Sequence, residues 1–404
     1  MGLGNGQSSI AEVFENKNLR ALGVIIGILG IAYLLWKIIS LNGDDLTFKY
    51  LWFAGSLWQD GLNPYGDGYI ILGQKLFESF NGQPLYYPPN WWPISNLLAL
   101  FEYEIAMEIW RFGSATAIIT ATLFLNEALK KIGIKTSKTY LIFYTGLVCF
   151  MQATVIGLST GQTAIAMYFA FSLFIYAAIC TRPVLLSIGL CILLLKPQLG
   201  VPLFFALLPF RRFHLELLYT CALTFLFILP AAITIGPLET LLPYLKGLAQ
   251  YSTFAANDPL NSTGLKKVIV LIVGADLSSS VATLLSIIAA VFIGFYYSKR
   301  QMSKNSDRNL IGFFITLISL TAFVAPLHEY DLIIVAPIMF LAKIYPINFQ
   351  IFLTLAFLVL MRCGNIADLF APTTVDEARY YTATVATFAL IVIIAVNSSF
   401  RRKT

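Results

Sequence analysis

Apolar residues fill this chain in long, nearly unbroken stretches separated by short polar breaks. The stretches fall at 21–40, 108–129, 138–157, 163–180, 183–195, 198–210, 214–234, 279–297, 309–327, 332–344, 347–363 and 380–398. A helix needs about 20 predominantly apolar residues to cross the hydrocarbon core of a bilayer. Most of the stretches approach that length; 183–195, 198–210 and 332–344 are short, and 266–273 reads as a segment that dips into the bilayer. The pattern predicts an all-α, polytopic protein of about twelve transmembrane helices, forming one transmembrane domain over residues 1–404. No small-residue cleavage site follows 21–40, so this run is expected to be a retained first helix rather than a signal peptide.

Between 41 and 107 the pattern changes. Phe48, Leu51, Trp52, Leu57 and Trp58 recur at helical spacing, which predicts an amphipathic helix over 46–60 lying on the membrane surface. Residues 70–80 repeat the pattern more weakly. Orientation follows from the basic residues, which favour the cytoplasmic side. The clusters Lys17/Arg20, Lys130/Lys131/Lys135/Lys138, Arg211/Arg212, Lys299/Arg300/Lys304/Arg308 and Arg401/Arg402/Lys403 share one side if all twelve runs cross. Both termini are then cytoplasmic, as in a multi-pass protein of the cell (inner) membrane. The segments 41–107, 235–278, 328–331 and 364–379 face the other way, together with the hinge Ser159–Gln162 and the turn Lys196-Pro197.

Composition agrees with this reading: of 404 residues 58% are hydrophobic and 12% charged, with mean hydropathy +0.77. Soluble domains carry about 25% charged residues. The net charge of +6 is spread over the clusters named above, so it is a topology signal and not a nucleic-acid stripe. Cys149, Cys180, Cys191, Cys221 and Cys363 lie scattered in or beside apolar runs without metal-ligand spacing, as small core residues do.

The polar residues with chemical potential gather in a few places. The first outer loop opens with Gly43-Asp44-Asp45, two carboxylates just past the C-terminal end of a spanning helix. The helix dipole disfavours acids there, so the pair reads either as a solvated helix stop or as a general base at the membrane surface. Lys49, Tyr50, Asn63 and Tyr65 follow in the same loop as candidate substrate contacts. The run Tyr86-Tyr87-Pro88-Pro89-Asn90-Trp91-Trp92-Pro93 packs aromatics and prolines densely enough to wall a pocket, with Tyr87 and Trp91 the candidate contacts; such residues also form ordinary interfacial belts. Lys196, between two apolar runs, is costly unless paired or hydrated. With Gln162, His328 and Arg362 it forms the candidate set for holding a phosphate. Glu329 and Asp331 beside His328 are candidate substrate contacts; one such carboxylate pair is a weak signal for a divalent cation, and no cofactor is expected.

An outer-face enzyme has no access to cytoplasmic nucleotide sugars, and the chain contains neither GxGxxG nor GxxxxGK[ST]. A sugar donor on that face would arrive attached to a membrane lipid. Its phosphate leaving group needs charge neutralisation rather than a proton, so one carboxylate base aided by cations suffices, unlike the paired acids of glycosidases.

The residues GDD, YLWFAGSLWQDGLNPYG, YYPPNWW, GQ, LLLKPQ and the late His328, spread over residues 40 to 340, resemble glycosyltransferase family 87 of the C-type membrane superfamily. The resemblance implies surface helices after the first span, a catalytic Asp in the first outer loop, best matched by Asp45 with Asp44 the alternative, and inverting transfer from a polyprenyl-phosphate sugar. A hexose or pentose would be moved, mannose favoured, to a lipid-linked or glycan acceptor. The sequence departs from the family at His328-Glu329-Tyr330-Asp331, where a Trp-rich or paired-His segment is usual. The competing reading is a transporter or lipid flippase. It would place ionisable groups at mid-membrane on broken helices, and no internal repeat is evident in this chain.

Overall fold

A computed structural model of the protein describes residues 17–40, 47–78, 80, 82–251, 262–274, 277–300, 306–361 and 375–400. Asp44, Asp45 and Arg362 lie outside the described residues. The described residues form helices, short 3₁₀ turns and connecting loops, with no strand among them.

A helix occurs in or across each predicted apolar stretch, and among the described residues five are long and apolar enough to cross a bilayer: Lys17–Ser40, Tyr103–Lys131, Arg211–Ile235, Ser279–Lys299 and Asp307–Val324. A sixth is the bent pair Lys138–Phe150 and Gln152–Ser159, which turns by 57° where Met151 adopts an extended backbone. In chain order the elements up to the second full-length span are α1 (Lys17–Ser40), α2 (Phe48–Gln59), α3 (Asp67–Leu76), α4 (Trp92–Leu98) and α5 (Tyr103–Lys131). The bent pair forms α6 and α7, followed by α8 (Ala164–Ile179), α9 (Pro183–Leu193), α10 (Pro197–Leu207) and α11 (His214–Ile235). Then come α12 (Pro237–Tyr251), α13 (Leu265–Val273), α14 (Ser279–Arg300) and α15 (Ser306–Val324).

The short stretches are short for a visible reason. Both α9 and α10 open on a proline, which suits the first helical position and not the interior. Eleven residues give a helix of about 16 Å, roughly half the ~30 Å hydrocarbon thickness. The hairpin α9–α10 therefore turns inside the protein, with Lys196 at the turn and 9% exposed. The stretch 332–344 is a 3₁₀ turn (Glu329–Val335), a six-residue helix (Ala336–Leu341) and another 3₁₀ turn (Ala342–Ile344), all in the core.

The first outer loop corrects one expectation. Helix α2 does not lie open on the surface: Phe48, Lys49, Tyr50, Leu51, Phe53, Ala54, Gly55, Leu57 and Trp58 are all buried. Its aromatic and aliphatic residues cover nearly every face, and a helix apolar all round belongs in an interior. Gly55 lets its backbone settle against the Ser95 carbonyl of α4, where any Cβ would collide. The exposed amphipathic helix lies elsewhere, in α12, which turns Leu238, Leu241, Leu245 and Leu248 outward.

Helix α1 packs on α6 through glycines, Gly27 against Ile142 and Gly30 against Gly146, so close that a Cβ on Gly30 would strike the facing backbone. Gly30→Leu should lower stability by about 1–3 kcal/mol or more, the usual result of overpacking. Thermal unfolding in lipid nanodiscs reads this out; an unchanged melting point would mean that the contact contributes nothing.

Candidate functional site

Three chain breaks meet at one cavity: the hinge after α7, the α9–α10 turn and the segment before the Glu329–Val335 turn. The cavity measures about 450 Å³ and its polar lining includes Gln162, Lys196, Gln198, His328 and Tyr330, with Tyr86, Tyr87 and Pro88 along one wall. Of the residues singled out from sequence, Gln162, Lys196, His328 and Tyr87 come together here, although they are far apart in the chain. Local geometry explains each position. Gly161 takes a left-handed φ of +64° and abuts Phe48, which closes the hinge that aims Gln162. Lys196 occupies the residue before the helical proline Pro197. Trp91, almost fully buried, donates from Nε1 to the Leu195 carbonyl at 2.8 Å, tying the aromatic–proline wall to the lysine turn. Trp91 is thus a support behind the wall, with Tyr87 5.5 Å away, and is not itself in the lining.

Asp331 organises the cationic side. Its Oδ1 is ion-paired with Lys196 Nζ, and its Oδ2 accepts from the His328 backbone N–H at 3.3 Å. The carboxylate is fully buried, which is tolerable because it is paired. The Tyr330 ring lies 5.2 Å from Lys196 Nζ and stacks on the His328 ring at 5.3 Å. Because Lys196 is matched by Asp331, the pair adds no net charge to the cavity.

A further basic residue of the lining is one that the sequence reading passed over. Lys266, at the start of α13, lines the cavity while only 3% exposed, and its Nζ donates to Ser279 Oγ at 3.3 Å. Ser262, Ser280 and Thr283 stand beside it in the lining. The available signal was the pair Lys266-Lys267 in a segment assigned to the outer face, against the usual bias of basic residues to the cytoplasmic side. The lining also carries apolar side chains, Leu248, Leu284 and Ile287. Leu248 and Leu284 are also open on the outside of the molecule.

Several first-loop candidates lie elsewhere. Lys49 and Tyr50 are in the buried aromatic packing of α2, with Lys49 Nζ 5.9 Å from the Tyr50 ring and that ring 4.7 Å from Phe80. Asn63 shapes a turn, accepting from the Tyr65 N–H at 2.9 Å and donating to the Glu239 carbonyl at 2.7 Å. Glu329 is buried beside the cavity without lining it. Tyr65 donates to the Tyr87 carbonyl at 2.8 Å and lies edge-on to Tyr244 at 5.5 Å. Burial, with a smaller contribution from Tyr244, pushes the Tyr65 phenol well above its ordinary range, and burial raises Tyr244 too, so both stay protonated donors. Among the described residues no group of three His, Cys, Asp or Glu side chains could share a metal ion.

The chain reaches this site from the first loop at Thr47. Its backbone N–H donates to the Thr160 carbonyl at 3.0 Å, and its hydroxyl accepts from Gln162 Nε2 at 2.7 Å.

No curated protein matches the chain. The family model of glycosyltransferase family 87 matches residues 85–326, more than half of its length, from the Tyr86–Trp92 wall through Gln162, Lys196 and Lys266 to the edge of the His328 segment. An apolar helical bundle enclosing a cation-lined cavity and carrying this match is a membrane glycosyltransferase, and the chain belongs to glycosyltransferase family 87.

Proposed function

We propose that the protein transfers a hexose or pentose, with mannose favoured, from a polyprenyl-phosphate sugar to a lipid-linked or glycan acceptor on the extracytoplasmic face of the cell membrane, both termini being cytoplasmic. The observation that carries this reading is the mixed lining of the cavity: Lys266, Lys196, His328 and Gln162 suit a phosphate, while Leu248, Leu284 and Ile287 in the same lining suit a hydrocarbon chain.

Asp45 is the proposed base, with Asp44 the alternative. Two residues of chain reach roughly 7 Å at most, which bounds how far Asp45 can lie from Thr47 and so from Gln162 in the cavity wall. The base takes the proton from the acceptor hydroxyl, whose oxygen attacks the anomeric carbon from the face opposite the phosphate. The configuration at that carbon inverts and the lipid phosphate departs as an anion, held by the cations. The reading is metal-independent, and Arg362 is a further candidate for the phosphate.

Radiolabelled polyprenyl-phosphate mannose, incubated with the purified protein in nanodiscs with added acceptor lipids, tests the donor class against a nucleotide sugar. Transfer from the nucleotide sugar alone would overturn the proposal. In the same assay Lys266→Ala should raise the donor KM by about 10- to 100-fold, as expected for one lost charge-assisted hydrogen bond. An unchanged donor KM would remove Lys266 from the phosphate site.

A further inference from the structure

A second cavity of about 330 Å³ lies against the first, between the Pro64–Ile70 stretch, Pro84-Leu85 and α12. The two share a partition. Tyr65 faces the second cavity and Tyr244 the first, their rings 5.5 Å apart. Along the other edge Leu85 lines the second and Tyr86 the first. Helix α12 divides them by its own periodicity: Tyr244 and Leu248, four apart, serve the first cavity, while Pro243, Gly247 and Gln250 serve the second.

That periodicity also sets which side is wet. The outward stripe Leu238, Leu241, Leu245 and Leu248 runs along α12 toward the first cavity, as on a helix lying in a membrane interface. Lys246 and Gln250, exposed and polar, line the second. The second cavity is therefore bordered by the exposed polar residues of α12, with the exposed Leu242 among them, and the first by Leu248 at the end of the leucine stripe.

The lining of the second cavity discriminates among ligands. It carries one carboxylate (Asp67), one ammonium (Lys246), one amide (Gln250) and the Tyr65 ring among prolines. The opposite charges leave no net pull on an anion. Acceptors and donors side by side suit hydroxyl groups, which need both, and ring faces suit the apolar face of a sugar. Its size is at the small end for ligand pockets.

We propose that this second cavity binds a neutral carbohydrate unit of the acceptor, entering from the aqueous side, while the lipid-borne donor occupies the first. The proposal rests on the glycosyl-transfer reading above. Binding energy gathered there, away from the reacting hydroxyl, would hold the acceptor's terminal sugar against the donor across the tyrosine partition.

Calorimetric titration of the full-length protein in nanodiscs with methyl mannobioside, a neutral disaccharide, tests it. The wild type should bind saturably, and Asp67→Asn and Gln250→Ala should each weaken binding about fivefold, the usual loss for one hydrogen bond. Gly247→Trp should abolish it, because a Cβ at Gly247 meets only the Leu85 carbonyl oxygen at 3.4 Å and Pro84 Cβ at 3.5 Å, leaving a large side chain to fill the cavity. In a parallel titration, polyprenyl phosphate should bind the Gly247→Trp variant within about twofold of wild type, since Gly247 lines the second cavity and is absent from the lining of the first. If that variant does not fold, the two polar substitutions decide. Absence of saturable disaccharide binding to the wild type, or unchanged binding in both polar variants, overturns the proposal. Failure of polyprenyl phosphate to bind the wild type would instead strike the donor reading, leaving the sugar titration to stand by itself.

Discussion

Asp45→Asn should lower sugar transfer by about 10²- to 10⁴-fold, the contribution of a positioned general base, with donor binding and thermal stability unchanged. The substitution keeps the size of the side chain and removes its basicity. The argument for this residue is one of placement. The described chain resumes at Thr47, whose backbone and hydroxyl are both held at the hinge that presents Gln162 to the cavity. The contrast with Asp44→Asn assigns the role. Near-wild-type turnover in Asp45→Asn with loss in Asp44→Asn moves the base by one residue. Full turnover in both variants ends the proposed mechanism. Donor affinity measured alongside separates a missing base from a missing phosphate contact, because only the latter alters KM at constant turnover.

The second large effect concerns the buried ion pair. Asp331→Leu leaves the Lys196 ammonium without its carboxylate partner, and Lys196→Met leaves Asp331, fully buried, without its cation. Each single substitution should lower stability by about 3–5 kcal/mol, the result of breaking a buried pair from one side. Replacing both together should recover most of that loss, since a well-packed apolar pair of similar volume is often neutral or better. Thermal unfolding of the two single variants and the double variant measures the coupling directly. Additive losses would mean that the two groups do not depend on one another. The same proteins separate structure from chemistry: a double variant that folds as wild type and still uses donor poorly assigns Lys196 to the phosphate, whereas normal donor use leaves it a scaffold residue and Lys266 the principal cation.

The sequence made the membrane class and the gathering of Gln162, Lys196 and His328 legible, because each is a polar interruption in an apolar run and lipid tolerates few of these without a reason. It bounded the number of crossings only loosely, because hydropathy measures apolarity and not length of regular helix: among the described residues five helices, or six with the bent pair, are long enough to cross. The runs 183–195 and 198–210 are apolar because the protein interior surrounds them, yet Pro183 and Pro197 restrict each to a half-length helix. Helical periodicity correctly placed α2, while the surface position inferred for it failed because Phe48, Tyr50, Phe53 and Trp58 leave no polar face. Two features escaped altogether. Lys266 was hidden in a stretch read for its apolar residues, and the Lys196–Asp331 pair joins positions 135 residues apart that no local pattern connects. The first-loop acids are the reverse case: conspicuous in sequence, they fall outside the described residues, so their role rests on the anchoring of Thr47.

The outward leucines of α12 carry a consequence for how this protein behaves once isolated. The helix forms part of the partition between both cavities, and one of its long sides is an exposed row of leucines. On the proposed function that row meets acyl chains and the bilayer completes the reaction chamber, whose width would then depend on lateral pressure and headgroup spacing as well as on side chains. Micelles of short-tailed detergent supply neither, so catalytic performance measured in them describes a chamber with one slackened wall, and lipid composition belongs among the variables that set the rate.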